Sequence, residues 1–195
     1  AAKQGVNGVI WTLLALDTYQ YAVSDEGQKT VATRERLLKE ILDRQFADGG
    51  WGFSGDVSDP DMTGMALQAL APYRFYSADI QAAVDRALER LVSLQQKGSY
   101  DHLSPESSAQ LIVALTALEI DPQTDSRFAS ADGSALDSML RYAVDGGFSH
   151  VFGAEYNQMA TEQAFYAMTA LRRMQSGQTS LYDMSELCSF AVADA

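Results

Sequence analysis

Two carboxylates stand two residues apart in Asp59-Pro60-Asp61-Met62-Thr63, the segment whose residue types and spacing come nearest to a chemical device. A carboxylic acid kept protonated in an apolar pocket, with a partner holding its proton on the outward oxygen, can act as a general acid. In that role Asp61 is the acid and Asp59 its neighbour. The same two side chains also suit a helix N-terminus, where carboxylates accept from unpaired amides and complement the macrodipole. Capping is the favoured role of the two. A carboxylate pair for glycoside cleavage can be drawn from Asp61, Glu106 and Glu162, with their separation as the deciding variable.

A wider constellation appears when four small-and-apolar stretches are aligned on Leu16, Leu70, Leu118 and Leu171. Asn7, Asp61 and Glu162 then share one position, Ala109 fills it in the remaining repeat, and Gln110 lies beside it. Carried on parallel helices, these groups converge on one mouth of a central cavity. Trp11, Phe165 and Tyr166 supply an aromatic wall, with Tyr156, Asn157 and Gln158 at its border and Glu106 joining the polar set. A polar ring over an aromatic wall is a plausible shape for a small-molecule site, and capping with core packing is the plainer use of the same residues.

The elements that must position these groups repeat along the chain. Glycine-aromatic turns occur at Asp48-Gly49-Gly50-Trp51-Gly52-Phe53, Lys97-Gly98-Ser99-Tyr100 and Asp145-Gly146-Gly147-Phe148, about 49 and 48 residues apart, a period typical of helical-hairpin repeats. Between them run Thr12–Leu16, Ala66–Leu70, Ala114–Leu118 and Ala167–Leu171, apolar nearly all round, as helices walled in on both sides are. Thr33–Gln45, Ala82–Gln96 and Ser134–Val144 are instead amphipathic: Leu37, Leu38, Ile41 and Leu42 recur at helical spacing against Arg34, Glu35, Arg36, Lys39, Glu40 and Arg44. Four inner and three outer helices, with no convincing period-two segment, predict an all-α, two-layered solenoid. The glycines provide positive φ where outer helices end, and Ser104-Pro105-Glu106 reads as an N-cap followed by a first-turn proline.

Bulk properties narrow the partners. The chain has 195 residues, 47% of them hydrophobic, and a formal net charge of −12, so one repeat domain is expected over 1–185, with a tail at 186–195. The acidity disfavours nucleic acid and anionic lipid, and no apolar run reaches the length of a membrane span. Ala1-Ala2-Lys3-Gln4 is no targeting motif. With Cys188 as the single cysteine beside His102 and His150, neither an intrachain disulfide nor a Cys/His metal cluster is expected, and no cofactor is implied.

Gln45-Phe46-Ala47-Asp48-Gly49-Gly50-Trp51 fits the glutamine, three residues, glycine, any residue, tryptophan signature and resembles the repeats of squalene and hopene cyclases. The second turn has Gln95 one residue closer and Tyr100 for Trp; the third has Tyr142 for Gln and Phe148 for Trp. Asp59–Thr63 resembles the Asp-any-Asp-Asp-Thr motif of class II terpene cyclases, which implies Asp61 as the acid, although Met62 stands where that motif has its next Asp. From Gln4 to about Ser185 the chain resembles bacterial secreted or cell-surface prenyltransferase and squalene-oxidase repeat proteins, through Lys3–Gly8, Asp59–Tyr73, Asn157–Gln163 and Leu181–Met184. It is more distantly similar to the vitamin B12 carriers intrinsic factor and transcobalamin.

The resemblance implies an α/α toroid (the terpenoid cyclase and prenyltransferase fold) at the bacterial cell surface or outside the cell, with a small-molecule, isoprenoid or peptide ligand in its concave face. Seven helices against the five or six hairpins of that fold imply a partial ring or arc of about four hairpins, whose uncapped N-terminal end invites self-association or a neighbouring domain. The expected function is a noncatalytic binding or scaffolding module. The alternatives are a terpene-cyclase or prenyltransferase-like enzyme acting through Asp61, and a purely structural repeat domain.

Overall fold

The computed structural model describes residues 4–23, 32–97, 103–130 and 133–186, without the side chains of 95–97. The turn at Gly98-Ser99-Tyr100, the side chain of Gln95, His102, Cys188 and the tail from 187 onward lie outside the described residues. The fold is mainly α.

Seven α-helices occur among the described residues: α1 (Gly5–Asp17), α2 (Arg34–Asp43), α3 (Pro60–Leu70), α4 (Ala78–Lys97), α5 (Pro105–Ala117), α6 (Ala135–Leu140) and α7 (Gln158–Gln175). Helices α1, α3, α5 and α7 form a row, each packed on the next, while α2, α4 and α6 pack on α1, α3 and α5 respectively. The sequence pattern explains the division. Every residue of α5 from Pro105 to Thr116 is buried, whereas α2 buries only Leu37, Leu38 and Ile41.

Helix starts are set by local side chains. Asp59 accepts from the Met62 amide at 2.8 Å, and Ser104 from that of Ser107 at 3.0 Å, each followed by a proline whose missing N–H costs nothing in a first turn. Asn157 accepts from the Ala160 amide at 3.0 Å and opens α7.

Two contacts set the close packing of the helices and their turns. Gly64 faces the backbone of α5, where a Cβ would lie 3.0 Å from the Gln110 carbonyl oxygen, so glycine is what lets α3 and α5 approach. Trp51, fully buried, donates its indole N–H to the Ile41 carbonyl at 2.8 Å and fastens the turn after α2 to that helix. Gly49 turns the chain there with φ +93°, as the glycine-aromatic pattern predicts.

One expected helix is shorter than its pattern. The outer helix read over Ser134–Val144 begins with a capping box between Ser134 and Asp137 but stops at Leu140. Ala143–Val144 (β3) instead pairs with Gly147–Phe148 (β4), Val144 opposite Gly147, around the two-residue turn Asp145-Gly146. Asp-Gly is a preferred hairpin turn, Gly146 has φ +83°, and this local chemistry overrides the helical spacing. A second small ladder pairs Ala129–Ser130 (β1) with Gly133–Ser134 (β2); at two residues per strand neither ladder carries a period-two pattern, and the fold stays mainly α.

Beyond α7 the chain returns to α1. Arg173 holds the carbonyl and hydroxyl of Thr179 at 2.8 and 2.7 Å. The Met184 amide donates to the Thr18 carbonyl at 3.0 Å, and the rings of Tyr182 and Trp11 meet edge to face at 5.7 Å. A partly open hollow of about 80 Å³ lies between Ser180–Asp183 and residues Leu14, Gln68 and Val113, which places this segment across α1, α3 and α5.

Candidate functional site

Most of the polar groups sit in the N-terminal halves of the row helices, with Gln68 farther along α3. Asp61 sits in the first turn of α3, partly buried, with a hydrogen bond from Ser107 of α5. Burial raises its carboxyl above the usual value; the Ser107 contact opposes this, and the negative charges of Asp59 and Glu106 reinforce it. Its Oδ1 is buried with no hydrogen-bond partner.

Glu106 follows Pro105 in the first turn of α5 and is only 5% exposed. Its Oε1 lies 2.8 Å from Nδ1 of His150, in the loop after β4, and its Oε2 is buried and unpartnered. Asn7, in the first turn of α1, has a buried Oδ1 in the same condition.

An amide relay crosses the row behind these acids. Gln68 Nε2 donates to Gln110 Oε1 at 2.8 Å, and Gln110 Nε2 donates to Gln163 Oε1 at 3.1 Å and to the Tyr166 hydroxyl. Tyr166 completes the triangle by donating to Gln163 Oε1 at 3.1 Å. Burial, then the proximity of Tyr182, Asp61 and Glu106, raises the Tyr166 phenol far above its usual range, so this hydroxyl remains a donor. Gln68 Oε1 is a further buried, unpartnered acceptor.

The arrangement is short of donors. Among the described residues the buried oxygens of Asn7, Asp61, Gln68 and Glu106 have no partner, and each such acceptor costs about 1–3 kcal/mol unless something supplies an N–H or O–H. Neither α1, α3 nor α5 contains a Lys or Arg. Among the described residues no three of His, Cys, Asp and Glu are grouped to hold a metal ion.

The structure brings Asp61, Glu106, Gln110 and Tyr166 together and carries Asn7 on the adjoining helix. Trp11 lies one turn beyond Asn7, 39% exposed, against Tyr182. Asp59 is occupied as the α3 cap and Asn157 as the α7 cap. Glu162 is exposed and accepts from Gln158 at 2.9 Å, so the α7 group that faces the cluster is its neighbour Gln163. Phe165 is exposed and meets Phe148 edge to face at 6.5 Å, and Tyr156 is exposed beside Gly147.

Sequence reasoning did not single out Gln68, Ser107, His150, Gln163 or Tyr182. Gln163 was one helical position from Glu162, a 100° change of direction that alignment by leucines does not resolve. His150 carries no periodic signal, because it comes from a loop. A separate hollow of about 700 Å³ opens at the opposite ends of the helices, lined by Pro72, Arg74, Phe75, Thr116, Glu119 and Met174 among others.

The chain matches no protein-family model, no curated protein and no solved structure.

Proposed function

We propose that this chain is a noncatalytic ligand-binding module, its helices forming an arc of an α/α toroid and its site lying at the N-terminal ends of α1, α3, α5 and α7. One observation carries the reading: Glu106, almost wholly buried, keeps a carboxylate oxygen unpartnered beside Asp61, whose Oδ1 is likewise unpartnered. A purely structural repeat would satisfy such groups or replace them, since unpaired buried acceptors lower stability without improving packing. In such an arc the inner face, with Trp11 and Tyr166 at its border, suits a small molecule or a peptide side chain. An extracellular or bacterial cell-surface setting belongs to the same proposal and rests on the family resemblance alone.

A ligand screen followed by amide chemical-shift mapping tests it. Perturbations gathered at Asn7, Asp61, Glu106 and Gln110 support the module. A screen without perturbations at this face leaves the scaffold reading in its place.

A second reading is favoured by the raised Asp61 carboxyl: a general acid of terpene-cyclase type, with Ser107 beside it. Turnover of an isoprenoid substrate that is lost in Asp61→Asn supports it, and no turnover by the wild type removes it.

A further inference from the structure

We infer that the site takes an organic cation, an ammonium or guanidinium group carried by a small molecule or a peptide, and this rests on the ligand-binding reading above. Four of the buried atoms without a partner among the described residues are acceptors, Asn7 Oδ1, Asp61 Oδ1, Glu106 Oε2 and, toward the hollow under Tyr182, Gln68 Oε1; the other two are the Ser108 hydroxyl of α5 and Arg74 Nε. What is missing is therefore a set of donors, and an ammonium presents three while a guanidinium presents five.

Charge points the same way. The three adjacent helices that carry these acceptors contain Asp17, Asp61 and Glu106 and no basic residue. The basic residues of α7, Arg172 and Arg173, stand in its last turn, at the opposite end from Gln163. Among the described residues His150 is committed to the other oxygen of Glu106, and Arg44 Nη1 lies at the start of α1, 4.0 Å from where a Cβ on Gly5 would stand. An anion entering here would meet two carboxyl groups, whereas a cation would relieve their mutual repulsion.

The apolar side of the ligand also has a counterpart. Trp11 lies four residues after Asn7, on the same stripe of α1, with part of its surface exposed, and Tyr182 braces it edge-on from the returning C-terminal segment. Aromatic faces attract cations and also cover the alkyl group that carries them. Carboxylate and amide oxygens on α1, α3 and α5, with the indole one turn from Asn7, thus offer partners for a charged head and for its stem.

The test titrates the intact chain with n-butylammonium, n-butylguanidinium, neutral n-butanol, butyrate and calcium, following the amides of Asp61 and Glu106 and the Trp11 indole N–H by NMR. Saturable shifts are expected with the two organic cations and not with butanol or butyrate. Glu106→Gln should weaken cation binding about tenfold or more. Trp11→Ala, at a position exposed enough to tolerate it, should also weaken binding, so the inference does not hang on the folding of one variant. Equal response to butanol, preference for butyrate, or tighter binding of calcium would overturn the cation assignment. If screened neutral ligands still map to Asn7, Asp61 and Glu106 while both organic cations are silent, the cation assignment falls and the binding module stands. Silence of the face to cations and to the screen alike overturns both.

Discussion

Glu106 and His150 are joined across 44 positions of sequence by a 2.8 Å contact that uses one carboxylate oxygen and leaves the other buried and free. The contact ties the loop after β4 to the first turn of α5.

His150→Ala removes the partner of Oε1 and leaves a nearly inaccessible carboxylate with less compensation. A loss of about 1–3 kcal/mol is expected, the range for a buried polar group deprived of its hydrogen bond. Urea unfolding monitored by circular dichroism measures it, and an unchanged midpoint would show that the pair contributes nothing to stability.

Asp61 has its carboxyl raised chiefly by burial, opposed by Ser107 and reinforced by Asp59 and Glu106, so the folded chain retains this proton to a higher pH than the unfolded chain does. Its favourable contribution is full below the unfolded value of about 3.9 and is lost as pH rises through the raised folded value. Asp61→Asn removes that loss. Thermal melts should show the variant matching wild type near pH 3 and exceeding it near pH 7, with the ligand response of the site reduced. A variant less stable at both pH values would contradict the burial argument.

Gly64 holds α3 against α5, with no room for a β-branched side chain beside the Gln110 carbonyl. Gly64→Val should cost about 1–3 kcal/mol through overpacking. It should also release the Gln68 amide from Gln110, visible as a shift of the side-chain NH2 resonances. Retention of those resonances would mean that α3 and α5 accommodate the change without separating.

Trp51 is fully buried and bonded to Ile41. Trp51→Ala should destabilise by about 3–5 kcal/mol, through lost burial and the cavity left behind. Chemical denaturation reads this directly, and a cost below about 1 kcal/mol, the size of one net hydrogen bond, would show that the turn is not anchored by the indole.

The helical row and its partners were legible because burial leaves a pattern. A helix enclosed like α5 is apolar all round, and one on the outside like α2 alternates Leu37, Leu38 and Ile41 with charges. Caps were legible for the same local reason: Asp59-Pro60 and Ser104-Pro105 carry their function in adjacent residues. The truncation of α6 was hidden, because Asp145-Gly146 fits a helix-ending turn as well as a hairpin. In the site, Asp61, Gln110 and Tyr166 could be reached by aligning repeats, but the choice between Glu162 and Gln163 depends on the rotation of α7. The Glu106–His150 contact and the seating of Tyr182 on Trp11 depend on loops that no periodicity describes.

The return of the chain to α1 has a thermodynamic side. Linear arrays of helical hairpins lose their structure one neighbour at a time, since each unit touches only the next. Here the strand of residues that follows α7 reaches the first helix of the row through Met184 on Thr18 and Tyr182 on Trp11. Fraying from the α7 end must break contacts that also stabilise α1, and fraying from α1 must release the segment that Arg173 holds at Thr179. The two ends of the row are thereby expected to share one melting event, so that the array unfolds as a single cooperative unit.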